Sequence, residues 1–141
     1  MLSIDIDSTD YWIWEALTVI NPRVVVIEYN ASFGISLSVT VPYQLNFNRY
    51  EFHPSGYYHG ASLHALNALA LRKGYALVGC DTAGVNAFFV RQDLAEENLT
   101  VLTPEAAFYE DMRRNRFHTS DEQFELIQHL RLERVTETET D

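Results

Sequence analysis

The first 29 residues, MLSIDIDSTDYWIWEALTVINPRVVVIEY, restrict the fold more than any other part of the chain. Leu2–Ile6 is a short apolar run of strand length. Arg23–Tyr29 is a continuous β-branched run, the pattern of a strand covered on both faces. Between them, Asp7-Ser8-Thr9-Asp10 offers side-chain oxygens to the free N–H groups of a helix start. Tyr11–Ile20 then places Ile13, Leu17 and Ile20 on one helical stripe, with Trp12 and Ala16 beside it. Asn21-Pro22 stops that helix, because the residue before proline is pushed out of the helical region. Strand, helix and strand joined by short links form a βαβ unit, whose two strands run parallel with a right-handed crossover. The fold class that follows is α/β.

Residues 30–60 break this regularity. The stretch carries Phe33, Tyr43, Phe47, Tyr50, Phe52, Tyr57 and Tyr58 among Gly, Pro, Asn and Ser. So long a connection in a compact domain points to an ordered lid or binding loop, since disordered segments are poor in aromatic residues. Ala61–Arg72 follows as an amphipathic helix closed by Gly74. Tyr75–Cys80 and Asn86–Arg91 read as two strands of an antiparallel hairpin around the turn Asp81-Thr82-Ala83-Gly84, with Asn86 a secondary candidate for facing a substrate. We therefore expect an α/β domain over residues 1–95 and a helical extension over 96–141. In the extension Thr103-Pro104-Glu105 starts one helix, and Thr119-Ser120-Asp121 caps another that runs to about Leu130. The ending Thr136–Asp141 reads as a frayed acidic tail.

The length of 141 residues suits one domain, and a hydrophobic content of 47% excludes disorder for most of it. The formal net charge of −10, with Lys73 as the sole lysine, argues against a nucleic-acid groove. The one basic run, Arg113-Arg114-Asn115-Arg116-Phe117-His118, reads as a solvated helix face. Cys80 stands alone on a buried strand, as inert packing, and no internal disulfide is possible. Acidic residues at the N-terminus and the lack of a long apolar run exclude a signal peptide and a membrane span, so a cytoplasmic protein is expected.

Only four strands are evident, and both early ones are apolar throughout. Sheets of that kind are buried on both faces and usually have more strands. Leu2–Ile6 would present an unpaired hydrophobic edge unless something covers it. The sequence reads as half a sheet, and a companion chain or self-association along Leu2–Ile6 is expected.

The succession LSIDIDSTDYWIWEAL, PRVVVIEYN and GASLHALNALALRKGYALVGCDTAGVNAFFVR resembles the C-terminal half of FkbM-like class I S-adenosylmethionine-dependent methyltransferases, over about Leu2 to Arg91. In that family an acidic motif ends the fourth strand, a helix follows, and the fifth strand ends in Glu. A helix with a Lys-Gly-Tyr-like ending then leads into a terminal antiparallel strand pair. The resemblance implies a partial Rossmann-like methyltransferase sheet, a parallel βαβ unit plus that antiparallel pair, with C-terminal helices. It implies S-adenosylmethionine as cofactor and the hydroxyl of a small molecule or sugar as acceptor. The family holds its cofactor mainly on a glycine-rich turn of the other half, and no GxGxG occurs here. The expectation is therefore a portion of a methyltransferase, inactive without the cofactor-binding half.

Candidate site residues follow from the strand ends, where open α/β sheets bind ligands. Asp5 and Asp7, two apart on a strand, would share one face. Asp10 lies a turn further on, and Glu28 ends the neighbouring strand. Such carboxylates either hold a hard cation, with Asp5, Asp7 and Asp10 around Mg²⁺, or raise one another's pKa toward a general base. The plainer alternative for Asp7 and Asp10 is helix capping. His53 and His59 are candidate bases for the acceptor hydroxyl, and Glu28, Asn30, Tyr57 and Tyr58 are candidate substrate contacts. His64, His118 and His129 read as surface residues. Three rival functions share these residues: a haloacid-dehalogenase-like phosphatase with Asp5 and Asp7 assisted by Lys73 and Asp81, a DxD-type glycosyltransferase, and a non-catalytic interaction subunit.

Overall fold

A computed structural model describes residues 1–137. Its elements are β1 (Leu2–Ile4), α1 (Asp10–Ala16), β2 (Val24–Glu28), a 3-10 turn (Ala31–Phe33), β3 (Val39–Thr40), α2 (Arg49–Phe52), α3 (Leu63–Arg72), β4 (Tyr75–Cys80), β5 (Asn86–Arg91), α4 (Gln92–Asn98), α5 (Pro104–Ala107), a second 3-10 turn (Arg114–Arg116), α6 (Ser120–Ile127) and β6 (Glu133–Arg134). The chain is α/β, with a mixed four-stranded sheet in the order β1-β2-β5-β4. β1 and β2 are parallel, with Leu2 opposite Val25 and Ile4 opposite Ile27. β5 runs antiparallel to both β2 and β4. The parallel βαβ unit and the antiparallel hairpin are thus present as expected. Among the described residues no strand pairs with the outer side of β1.

Two of the expected elements are shorter. β1 ends at Ile4 rather than Ile6, because the Asp10 carboxylate accepts hydrogen bonds from the N–H groups of Ile6 (3.0 Å) and Ser8 (3.1 Å) and draws residues 5–9 into a loop. Helix α1 ends at Ala16 rather than Ile20, with Leu17 already extended. Its buried face is Asp10, Tyr11 and Trp14, whereas Ile13 is 42% and Ile20 51% exposed. Trp14 decides the orientation: its indole packs between Tyr75 and Phe89, at ring-centroid distances of 5.9 and 5.2 Å. Tertiary donors stabilise the early ending. Lys73 Nζ donates to the carbonyls of Glu15 and Leu17, and Tyr75 Oη donates to that of Pro22 (2.6 Å). Carbonyls that a longer helix would have bonded internally are satisfied from the α3–β4 corner instead.

The aromatic segment is more structured than a lid. Phe33, Val39, Val41, Tyr57 and Tyr58 form a second core with Ile127, flanked by Phe47, Phe52, Phe124, Leu130 and Leu132. β3 pairs antiparallel with β6, Val39 opposite Arg134. The late helix α6 is held at its start by a capping box between Thr119 and Glu122. It therefore supplies the floor under the segment expected to be a loop, and residues 33–58 and 124–132 share one core. The basic run is solvated at Arg113, Asn115, Arg116 and Phe117 as expected, but it forms a 3-10 turn rather than a helix face, and the Arg114 side chain is largely buried. Thr136, the first residue of the expected tail, accepts a hydrogen bond from Arg72 through its carbonyl. Residues 138–141 of that tail lie outside the described residues.

Candidate functional site

At the C-terminal ends of β1 and β2 lies an open cleft of about 520 Å³, lined among others by Asp5, Asp7, Glu28, Arg49, Tyr57, Asp111, Arg113 and Arg114. The parallel register builds its acidic wall. Ile4 stands opposite Ile27, so the next residues along, Asp5 and Glu28, emerge side by side, close enough for the Asp5 carboxyl to act on that of Glu28. Glu28, with its side chain 13% exposed, is pushed up to about 8, first by burial and then by Asp5, Asp7 and Asp10. Near neutral pH Glu28 therefore largely keeps its proton.

Asp7 does not share a strand face with Asp5. It lies in the loop after β1 with φ 55°, a left-handed conformation that Asp tolerates, and its carboxylate meets Arg49 at 3.5 Å. Asp10 is not at the site at all. Both of its oxygens accept backbone hydrogen bonds within its own loop, so it is neither a metal ligand nor the side-chain cap of α1, whose N-cap is Thr9.

The histidines also depart from expectation. His53 does not line the cleft; its Nδ1 accepts from the Ser55 N–H (3.2 Å) and lies 2.8 Å from Ser55 Oγ, which holds its own turn. His59 is buried beside the cleft, because the Gly60 N–H donates to the Ser8 carbonyl (2.7 Å) and docks this segment on the β1–α1 loop. Its Nε2 lies 2.8 Å from Arg114 Nη2. A guanidinium only donates, so Nε2 is the acceptor and the ring is neutral. Burial and the neighbouring Arg114 hold His59 well below the usual histidine range. With its lone pair engaged, His59 is not a free base.

Asn30 is a structural hub and leaves no atom for a substrate. Its Nδ2 donates to the carbonyls of Tyr57 (2.6 Å) and His59 (2.8 Å), while Oδ1 accepts from the Ser32 N–H and from Arg114 Nη1 (2.7 Å). Tyr58 is buried in the second core with its hydroxyl on the Arg131 carbonyl, away from the cleft. Tyr57 does line the cleft; its hydroxyl lies 2.9 Å from His118 Nδ1, and its ring packs against the Arg114 guanidinium, 5.0 Å away. Of the predicted residues, then, Asp5, Asp7, Glu28 and Tyr57 come together.

Arg114 is the functional residue the sequence reading missed, with His118 and Asp111. The guanidinium reaches Asn30, Ser32, His59 and Asp111, joining the β2 end, the aromatic segment and the second 3-10 turn. Three arginines within four residues, in a chain with half as many basic as acidic groups, were the available signal.

Asp7, Glu28 and His59 bring ligand atoms within 4.8 Å of one another. As arranged they do not suit a cation, because Arg114 occupies the His59 lone pair and places positive charge against it. The phosphatase constellation does not assemble: Lys73 is bonded to the end of α1, and the Asp81 carboxylate accepts from Val85 and Asn86 within its own turn. Asn86 is engaged there as well. Cys80 is inert, its thiol pushed up to about 12 by burial. No helix among the described residues is long and apolar enough to cross a membrane. Comparison of the chain with protein-family models, curated proteins and solved structures finds no significant match.

Proposed function

We propose that the chain carries the acceptor-binding side of an FkbM-like S-adenosylmethionine-dependent methyltransferase, receiving a hydroxyl of a small molecule or sugar at Asp5 and Glu28. The observation that carries this reading is the meeting of those two carboxyl groups at the ends of adjacent parallel strands, opening onto the cleft. A carboxyl raised to about 8, as Glu28 is, is matched to accepting and returning a hydroxyl proton. Arg49, on Asp7, holds the second carboxylate in place beside it.

The residues present do not make a holder for S-adenosylmethionine. The loop after β1 is Asp5–Thr9, without glycine, and the cleft lining mixes carboxylates and guanidiniums with Tyr50, Tyr57, Val85 and Phe117 rather than presenting two apolar walls for a purine. Cofactor binding is assigned instead to a companion chain along the free edge of β1. The isolated chain should accordingly show no calorimetric binding of S-adenosylmethionine. Transfer of labelled methyl groups to polyhydroxylated acceptors, measured in extract of the native cells, should rise when the chain is added and should not rise with Asp5→Asn. Equal transfer with and without the wild-type chain would refute the reading.

A further inference from the structure

The cleft has a second wall, which the Asp5–Glu28 pair does not use. It is built from residues 110–116, and its position is tightly determined. The Met112 N–H donates to the Ala83 carbonyl (3.1 Å), and the Glu110 carbonyl lies so close over Gly84 that a Cβ there would stand 2.1 Å from its oxygen. Asp111 Oδ1 accepts from the N–H groups of both Arg113 (2.9 Å) and Arg114 (3.0 Å). The backbone that carries Arg113 is thus pinned from two sides.

Direct ion pairing around the cleft leaves one guanidinium over. Asp7 pairs with Arg49, and Asp111 with Arg114. Arg113, an exposed residue on the cleft lining, makes no ion pair among the described residues, in a chain whose acidic groups outnumber its basic ones two to one. Asp5 and Glu28, whose carboxyl groups suit a hydroxyl, line the same cleft. A neutral polyol would leave Arg113 unmatched, and a cation would be repelled by it. A molecule with a hydroxyl at one end and an anionic group at the other satisfies both walls.

Building on the acceptor-side reading above, we propose that the substrate is a small hydroxylated acid, its phosphate or carboxylate held by Arg113 while its hydroxyl faces Asp5 and Glu28. A guanidinium offers either anion two parallel donors in a planar fork, which fixes orientation as well as affinity.

The test is calorimetric titration of the full chain with glycerol 3-phosphate, glycerate and glycerol, without methyl donor. Tighter binding of glycerol 3-phosphate than of glycerate assigns the anion as phosphate, and the reverse order assigns it as carboxylate. Arg113→Gln should weaken the tighter acid by about tenfold or more, as expected for loss of a charge-assisted contact. Arg116→Gln, three residues further along the same exposed turn and off the cleft lining, should leave it unchanged. Glycerol binding as tightly as both acids, no binding of either acid, or equal losses in the two arginine variants would overturn the proposal. Because no methyl group is transferred here, a negative methylation assay refutes the reaction and leaves this result to stand or fall alone.

Discussion

Around the sheet, Trp14, Val25, Ile27, Leu66, Leu77 and Phe89 are delivered to one core by regular strands and helices. Beyond Asn30, the core of Phe33, Val41, Tyr57, Tyr58 and Ile127 is assembled from a 3-10 turn, loops and one late helix. The first core is stabilised by elements that have their own backbone ladders. The second depends on side chains meeting across about 90 residues of sequence, as in the hydrogen bond between Ser32 and Gln123. The cleft lies where the two regions join, with its acidic wall on the first and its arginine wall on the turn that leads into α6. A site placed at such a seam gains groups that neither region holds alone, and it inherits the stability of the weaker one.

Truncation in the two cores should separate them. Trp14→Ala removes a side chain 1% exposed, with a cost of about 3–5 kcal/mol, and should abolish cooperative unfolding of the whole chain by denaturant. Ile127→Ala should cost about 3 kcal/mol, yet leave hydrogen-exchange protection in β2, β5 and β4 near the wild-type level. Equal loss of protection in those strands would show that the two cores are one cooperative unit, and the contrast drawn above would fail.

Arg114→Met tests the seam itself. It leaves the buried Asp111 carboxylate and Asn30 Oδ1 without their cation, and should cost about 2–4 kcal/mol by chemical denaturation. Removing the guanidinium also removes one cause of the depressed His59, so the ring should titrate at higher pH by NMR. A His59 titration unmoved by the substitution would mean that burial alone holds it neutral.

The smallest effect is confined to the acidic wall. Glu28 is raised in the folded state from 4.5 to about 8, so the native protein binds a proton that the unfolded chain has released across that range. Its contribution is complete below about pH 4.5 and lost as pH rises through about 8, amounting to roughly 2 kcal/mol once water penetration is allowed for. His59 acts in the opposite sense, since a depressed histidine loses stability as pH falls below its usual 6.5. The difference between wild type and Glu28→Gln isolates the carboxyl. The variant should gain relative stability steadily from pH 5 to pH 8, and a flat difference would mean that Glu28 is not raised.

Legibility in the sequence followed the same divide. β2, the hairpin strands and α3 were readable because β-branched runs and helical spacing are local signals that the sheet core then reinforces. The stripe Ile13, Leu17 and Ile20 misled because three apolar residues at helical spacing compete with a single large one, and the buried area of Trp14 wins the helix face. Asp5 and Glu28 were found for a sound reason, as ends of paired strands, although the shortened β1 removed Asp7 from that face. His53, Asn30 and Tyr58 were chosen by residue type within an aromatic segment, and type does not reveal whether the polar atoms are already occupied.

What the sequence determined by itself was the α/β class, the parallel pair and the hairpin, because chirality and side-chain periodicity leave a βαβ stretch with short links essentially one arrangement. Only the tertiary structure decided which groups face the cleft. Arg114 meets Asn30 across 84 residues, and no local pattern encodes a contact made when a distant turn docks on a strand end. Its donors saturate His59 and Asn30, which are therefore structural, and the neighbouring exposed Arg113 is left on the cleft lining without an ion pair among the described residues.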